Sequence, residues 1–199
     1  MANDLVLFWM AAFALMGSPG PATISLAGIG KAFGVRAGLP YLGGIVLGTF
    51  GALLMVAAGI TALIVAHPVA ATVVTAAAAL YICYLAWKIA TAPIGTKDLS
   101  VRGAPRFVHG VLLAITNPKA FAALGAVYAG HTLLGPNPIL DGLAKIAALT
   151  LVVVVVNSAW LAFGSSFALM LDGPRSGRIA NVIFAALLVA SVGVTLLVH

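Results

Sequence analysis

Asn117-Pro118-Lys119 stands in the middle of a long apolar stretch that runs from Phe107 to Tyr128, FVHGVLLAITNPKAFAALGAVY. Proline removes a helical N–H, and a lysine at the centre of a spanning helix costs about 2.5–3.5 kcal/mol on insertion scales, so an ionisable residue kept there marks a functional site. A second interruption, Ser18-Pro19-Gly20-Pro21, divides the first apolar run about half a chain earlier. In both places a capping residue precedes a proline. This is the order of a helix that begins afresh, with Ser18 or Asn117 at the N-cap and proline at the first helical position, where its missing N–H is not needed. The sequence therefore predicts two helices that start inside a bilayer.

Composition agrees with a bilayer. Hydrophobic residues make up 63% of the chain and charged residues 7%, against roughly 25% charged in a soluble domain; mean hydropathy is +1.18. There is no Glu, and Asp4, Asp98, Asp141 and Asp172 all fall at or near the ends of apolar runs. The formal charge of +6 comes from basic residues scattered between those runs, a topogenic pattern rather than a nucleic-acid surface. Cys83 is the single cysteine, which excludes an intramolecular disulfide, a two-thiol relay and a multi-cysteine zinc site. His67, His109 and His131 are too dispersed to read as a ligand set, so no metal and no cofactor is expected. The opening segment has Asp4 and no basic residue before Lys31. It is expected to be a retained first span rather than a signal peptide.

Six apolar stretches can be marked, at 5–28, 40–65, 69–90, 107–131, 143–170 and 179–198, each long enough for a hydrocarbon core of roughly 30 Å. A tight hairpin is expected at His67-Pro68. The linker at 92–106, with Pro93, Gly95, Lys97, Asp98, Arg102, Gly103 and Pro105, separates a first three-helix unit at 1–91 from a second at 107–199. Lys31 and Arg36, then Lys88, Lys97, Arg102 and Arg106, then Arg175 and Arg178 all fall on one side, leaving Lys145 on the other. The positive-inside rule makes the first side cytoplasmic and places both termini outside. Three spans per unit obliges the second unit to enter from the opposite side. The expected fold is an all-α integral membrane protein of six transmembrane helices, two inverted three-helix repeats, with helices 1 and 4 broken near the midplane. Pro19 would lie about 21 Å from the outer end of its span and Pro118 about 17 Å from the inner end of its own. Interrupted helices at matching positions of inverted repeats point to a transporter's substrate site.

A helix that starts at mid-membrane presents unpaired N–H groups and the positive end of its dipole, a site for a carboxylate. Lys119 adds a full charge on the same turn. With no acid inside the spans, its partners are freed carbonyls, the Asn117 amide oxygen, water or a ligand's carboxylate. The competing reading is a latch that bonds only the freed carbonyls. Gly20 lets a backbone or small ligand approach. Asn157, after the run Leu151–Val156, either bonds a neighbouring helix or holds a substrate amino or hydroxyl group. The candidate substrate-binding residues are thus Ser18, Pro19, Gly20, Pro21, Asn117, Pro118, Lys119 and Asn157. Gly43, Gly44, Gly48 and Gly51 offer small-residue packing faces that would also suit a homodimer. Trp9, Tyr41, Trp87 and Phe107 sit where an aromatic belt is expected.

Several pieces together resemble the LysE/RhtB family of bacterial amino-acid exporters over essentially the whole chain. They are Ser18-Pro19-Gly20-Pro21, Gly34-Val35-Arg36-Ala37-Gly38, the run Ala79 to Lys88, Phe107-Val108-His109-Gly110, Asn117-Pro118-Lys119-Ala120-Phe121, Asp172-Gly173-Pro174-Arg175, and Asn181 to Phe184. The resemblance implies a multi-pass efflux carrier of the bacterial plasma (inner) membrane that exports amino acids or close derivatives, with proton-coupled antiport the mechanism commonly proposed. Many members carry an aspartate in span five where this chain has Asn157, and the aromatic-proline run that often ends span four is replaced by Tyr128-Ala129-Gly130-His131. The missing acid leaves no counter-charge for a cationic side chain, which favours a small neutral zwitterion. The rival readings are export of another small solute or ion, a non-transporting assembly subunit, and a membrane enzyme. The last would need an acid, a nucleophile–base pair or a metal cluster.

Overall fold

The computed structural model describes residues 2–59, 68–91, 104–135, 137–169 and 174–197. His67, residues 92–103 of the expected linker, and Asp172-Gly173 lie outside that set. Seven helices organise the described residues: α1 Ala2–Gly17, α2 Pro21–Ala57, α3 Pro68–Ala90, α4 Phe107–Ile115, α5 Pro118–Gly130, α6 Pro138–Leu169 and α7 Pro174–Leu197. Five of them begin on a proline, the residue whose fixed φ suits the first helical turn and whose missing N–H costs nothing there.

Both expected breaks are present. α1 ends at Gly17 and α2 starts at Pro21; α4 ends at Ile115 and α5 starts at Pro118 with a bend of 61°. The second break has the expected caps, Asn117 at the N-cap and Pro118 at the first position. The first needs a correction, because Gly20, not Ser18, is the N-cap and Pro21 opens the helix. Ser18 instead closes the helix before it, its Oγ donating 2.9 Å to the Leu15 carbonyl.

The first two stretches are not joined by a loop. Helix runs continuously except at Gly34, whose φ of 79° and ψ of 167° occupy a region open essentially to glycine alone. A Cβ on Gly38 would lie 3.3 Å from Ile29 Cγ2, although nine residues of straight helix span about 13.5 Å. One glycine therefore makes a sharp corner. By length and composition, Pro21–Ala57 and Pro138–Ser166 are each able to cross a membrane, and the bent pair α4–α5 passes the same test only when taken together, as a broken span or a re-entrant loop; Asp4–Gly17, Ala79–Ala90 and Arg178–Leu187 are shorter apolar helices. The break and the corner explain why the first two of the six marked stretches do not appear as separate uninterrupted helices.

Two cores meet at the breaks. One gathers Ile24, Leu26 and Ile29 of α2, Ile82 and Leu85 of α3, Leu113 and Ala114 of α4, and Phe184 of α7. The other gathers Phe8 and Ala12 of α1, Leu53 of α2, Leu124 and Val127 of α5, and Val152 and Val156 of α6. Each break hands the chain from one core to the other, α1 to α2 and α4 to α5. Outside the cores, large apolar side chains such as Leu5, Met10, Leu80, Trp87 and Phe163 are exposed, as suits a surface solvated by lipid rather than water.

Backbones approach closely at two crossings. A Cβ on Gly44 would meet the Phe107 carbonyl, and one on Gly110 would meet the Tyr41 carbonyl, so α2 and α4 touch through glycine on both sides. Gly30 and Gly164 do the same for α2 and α6. Gly48 packs against Ala114 and Val111. The Gly44–Gly48 face expected to suit a homodimer is thus already covered by α4. Tyr41 is likewise no belt residue. It is fully buried, its hydroxyl 3.0 Å from Ser25 Oγ.

Candidate functional site

The breaks leave backbone carbonyls without helical partners, and in a bilayer each must find a donor within the protein. Trp160 Nε1 of α6 donates 3.1 Å to the Gly17 carbonyl. Thr116 Oγ1 donates 2.7 Å to the Leu112 carbonyl, closing α4 as Ser18 closes α1. Two carbonyls at the first break, those of Ser18 and Pro19, are taken by the Lys119 ammonium from the second, at 3.1 Å for Pro19. A cation in the first turn of α5 thereby ties together two breaks separated by about half the chain.

Gly20 makes room for that tie. A Cβ there would stand 2.5 Å from Lys119 Cδ and 2.8 Å from Nζ, so the lysine stem lies directly over the glycine. Gly20 N–H donates 2.9 Å to Thr23 Oγ1, which fixes the entry to α2. Neither Gly20 nor Asn117 supplies a side-chain hydrogen bond to the N–H groups of the helix it opens. Both helices thus present their N-termini, with positive dipole ends, to the space between the breaks.

That space is a cavity of about 40 Å³ lined by Gly20, Thr23, Thr49, Asn117, Lys119 and Asn157, with apolar walls that include Leu15, Ala123 and Val153. Of the sequence-predicted residues, Gly20, Asn117, Lys119 and Asn157 meet here. Ser18 and Pro19 take part through their carbonyls, and Pro21 and Pro118 set the starts of the two helices. Asn117 and Asn157 are buried, at 3% and 6% exposure. Asn157 Nδ2 donates 2.7 Å to the Val153 carbonyl one turn back in its own helix. The amide does not serve as glue to another helix through that bond.

Thr23, Thr49 and Trp160 are additions that the sequence reading did not single out. Threonine is tolerated anywhere in an apolar helix, so nothing in its spacing distinguishes a cavity hydroxyl. Trp160 carried a usable signal, an indole N–H deep in an apolar run that must find an acceptor. Among the described residues no group of three or more His, Cys, Asp or Glu could hold a metal ion.

A cavity of this size admits a few waters but not an amino acid. An amino acid would enter only as the cavity widens. The chemistry on offer is nevertheless specific: one ammonium and two helix N-termini for an anionic group, and hydroxyl and amide groups for a polar one.

Comparison with known proteins supplies the context. The LysE type translocator family model matches residues 12–199. Relatives include the cysteine/O-acetylserine efflux proteins of Escherichia coli (strain K12) and Shigella sonnei (strain Ss046). Each is 30% identical over 191 residues, covering 93% of this chain and 93% of the relative. No solved structure matches.

Proposed function

The chain belongs to the LysE-type translocator family and is not an enzyme, and on that premise we propose that it exports small neutral, zwitterionic amino acids or close derivatives from the cytoplasm. It would work as a secondary transporter by alternating access around the cavity between the two helix breaks. Cysteine and O-acetylserine are the first candidate substrates, because the relatives' names carry them and because both are small zwitterions.

The observation that carries this reading is the Lys119 ammonium, shared between the two breaks and bonded to the Ser18 and Pro19 carbonyls. Neutral carbonyls are weaker partners for a cation than a carboxylate is. A substrate carboxylate arriving at the N-termini of α2 and α5 would displace them and release the tie between the breaks. Binding energy would then be spent on separating the two cores, which is the motion an alternating-access cycle requires. In this account the six spans form two inverted three-helix repeats, residues 1–91 and 107–199, with the breaks near the midplane of the inner membrane and both termini outside.

The geometry also favours one second reading, in which Lys119 is a structural latch that never meets substrate. Efflux of radiolabelled cysteine, O-acetylserine and basic amino acids from preloaded cells separates the two, with wild type compared with Lys119→Ala at matched membrane abundance. The exporter reading expects selective efflux of the neutral compounds and its loss, by an order of magnitude or more, in the variant. Undiminished efflux in Lys119→Ala would make the lysine a latch, and absence of amino-acid efflux in the wild type would turn the search to other solutes.

A further inference from the structure

Three buried side-chain polar atoms have no hydrogen-bond partner among the described residues: Asn117 Oδ1, Asn157 Oδ1 and Asn181 Nδ2. The first two are acceptors, and both asparagines line the cavity between the breaks. The Asn157 amide is oriented by its own chemistry. Nδ2 donates to the Val153 carbonyl, and exchanging the two ends would set oxygen against oxygen. Its Oδ1 is therefore held away from the helix backbone. A buried acceptor without a protein donor is left for water or a ligand to satisfy, and this protein keeps two in one small cavity. A ligand that brings several N–H donors can satisfy both at once.

The same cavity holds the Lys119 ammonium, the one charged group among its lining residues. A lone cation entering beside Lys119 would be repelled at close range in a medium of low dielectric. A zwitterion would not, because its carboxylate neutralises the lysine as its ammonium approaches the amides. We infer that the Asn117 and Asn157 amide oxygens form an ammonium subsite, and that Lys119 restricts it to an ammonium that arrives with its own carboxylate. The inference deepens the exporter reading and rests on it. It defines the substrate class by two unblocked ends: an N-acylated amino acid lacks the donors, and an amine without a carboxylate lacks the neutralising charge.

The test uses the purified full-length chain in proteoliposomes at mildly acidic pH, where acyl migration is slow, with two isomers as probes. O-acetyl-L-serine and N-acetyl-L-serine share their atoms and their carboxylate and differ in whether the nitrogen is an ammonium; cysteine and N-acetylcysteine give a second pair. Wild type is expected to move the free-ammonium member of each pair at least about tenfold faster, with cysteamine failing to compete. Asn157→Leu should raise the KM for the transported member by a similar factor. Its melting temperature should stay close to that of wild type, because the amide bonds only within its own helix. Equal transport of both members by wild type would overturn the ammonium subsite and leave the exporter reading standing. A lowered melting temperature with unchanged KM in Asn157→Leu would make the residue a packing group and overturn its assignment. Transport of no member of either pair would overturn the exporter reading for this class, and the subsite with it.

Discussion

Lys119 joins two segments that the sequence separates by about half its length, and it does so through bonds to carbonyls that helix breaks set free. The position of a lysine in an apolar run was legible because its cost in a bilayer is large. Its partners were legible only as a set of alternatives, since charge, carbonyl and carboxylate are all chemically adequate. Ser18 was harder to place. Ser18-Pro19-Gly20-Pro21 offers two prolines as possible starts, and packing decides for Pro21, leaving the serine hydroxyl to close α1 instead. The Gly20 φ of −171° is open to any residue, so Gly20→Ala is not strained in its backbone, but the new methyl would collide with the Lys119 side chain. Because the obstructed atoms are the far end of a flexible side chain, the variant should fold with little loss of thermal stability while substrate efflux falls several-fold. A melting curve and an efflux assay on the same preparation check both halves.

At the scale of elements, α2, α3, α5, α6 and α7 all start on proline, but only the starts at Pro68 and Pro118 are read from the sequence; hydropathy alone begins the last two stretches at 143 and 179, each about five residues late. The corner at Gly34 was not legible, because a turn made by one residue leaves helical periodicity intact on both sides. Nor could sequence say which glycines were already used. Gly44 and Gly48 present a motif suited to any helix partner, and only the structure shows α4 lying against them. The α2–α6 crossing is tighter still: a Cβ on Gly164 would stand 2.6 Å from the Ala27 carbonyl carbon and closer to its oxygen. Backbone cannot rotate aside as a side chain can. Gly164→Ala should therefore destabilise the protein by about 1–3 kcal/mol, read as a clear fall in melting temperature in detergent. A variant as stable as wild type would mean that the two helices are free to separate at no cost.

For the whole molecule, the two apolar cores and the cavity between them give the breaks a mechanical meaning. α1 and α5 belong to one core, the first half of α2 and α4 to the other, so the pieces on either side of each break pack in different cores. The lysine bridge holds the present arrangement, and a carboxylate would compete for it. We propose that substrate takes Lys119 away from the Ser18 and Pro19 carbonyls. An experimental structure with O-acetylserine or cysteine bound tests it most directly. The carboxylate is expected on Lys119 Nζ and the ammonium beside Asn117 and Asn157, in a cavity widened between the breaks. A bound amino acid elsewhere, with Lys119 still on both carbonyls, would contradict it.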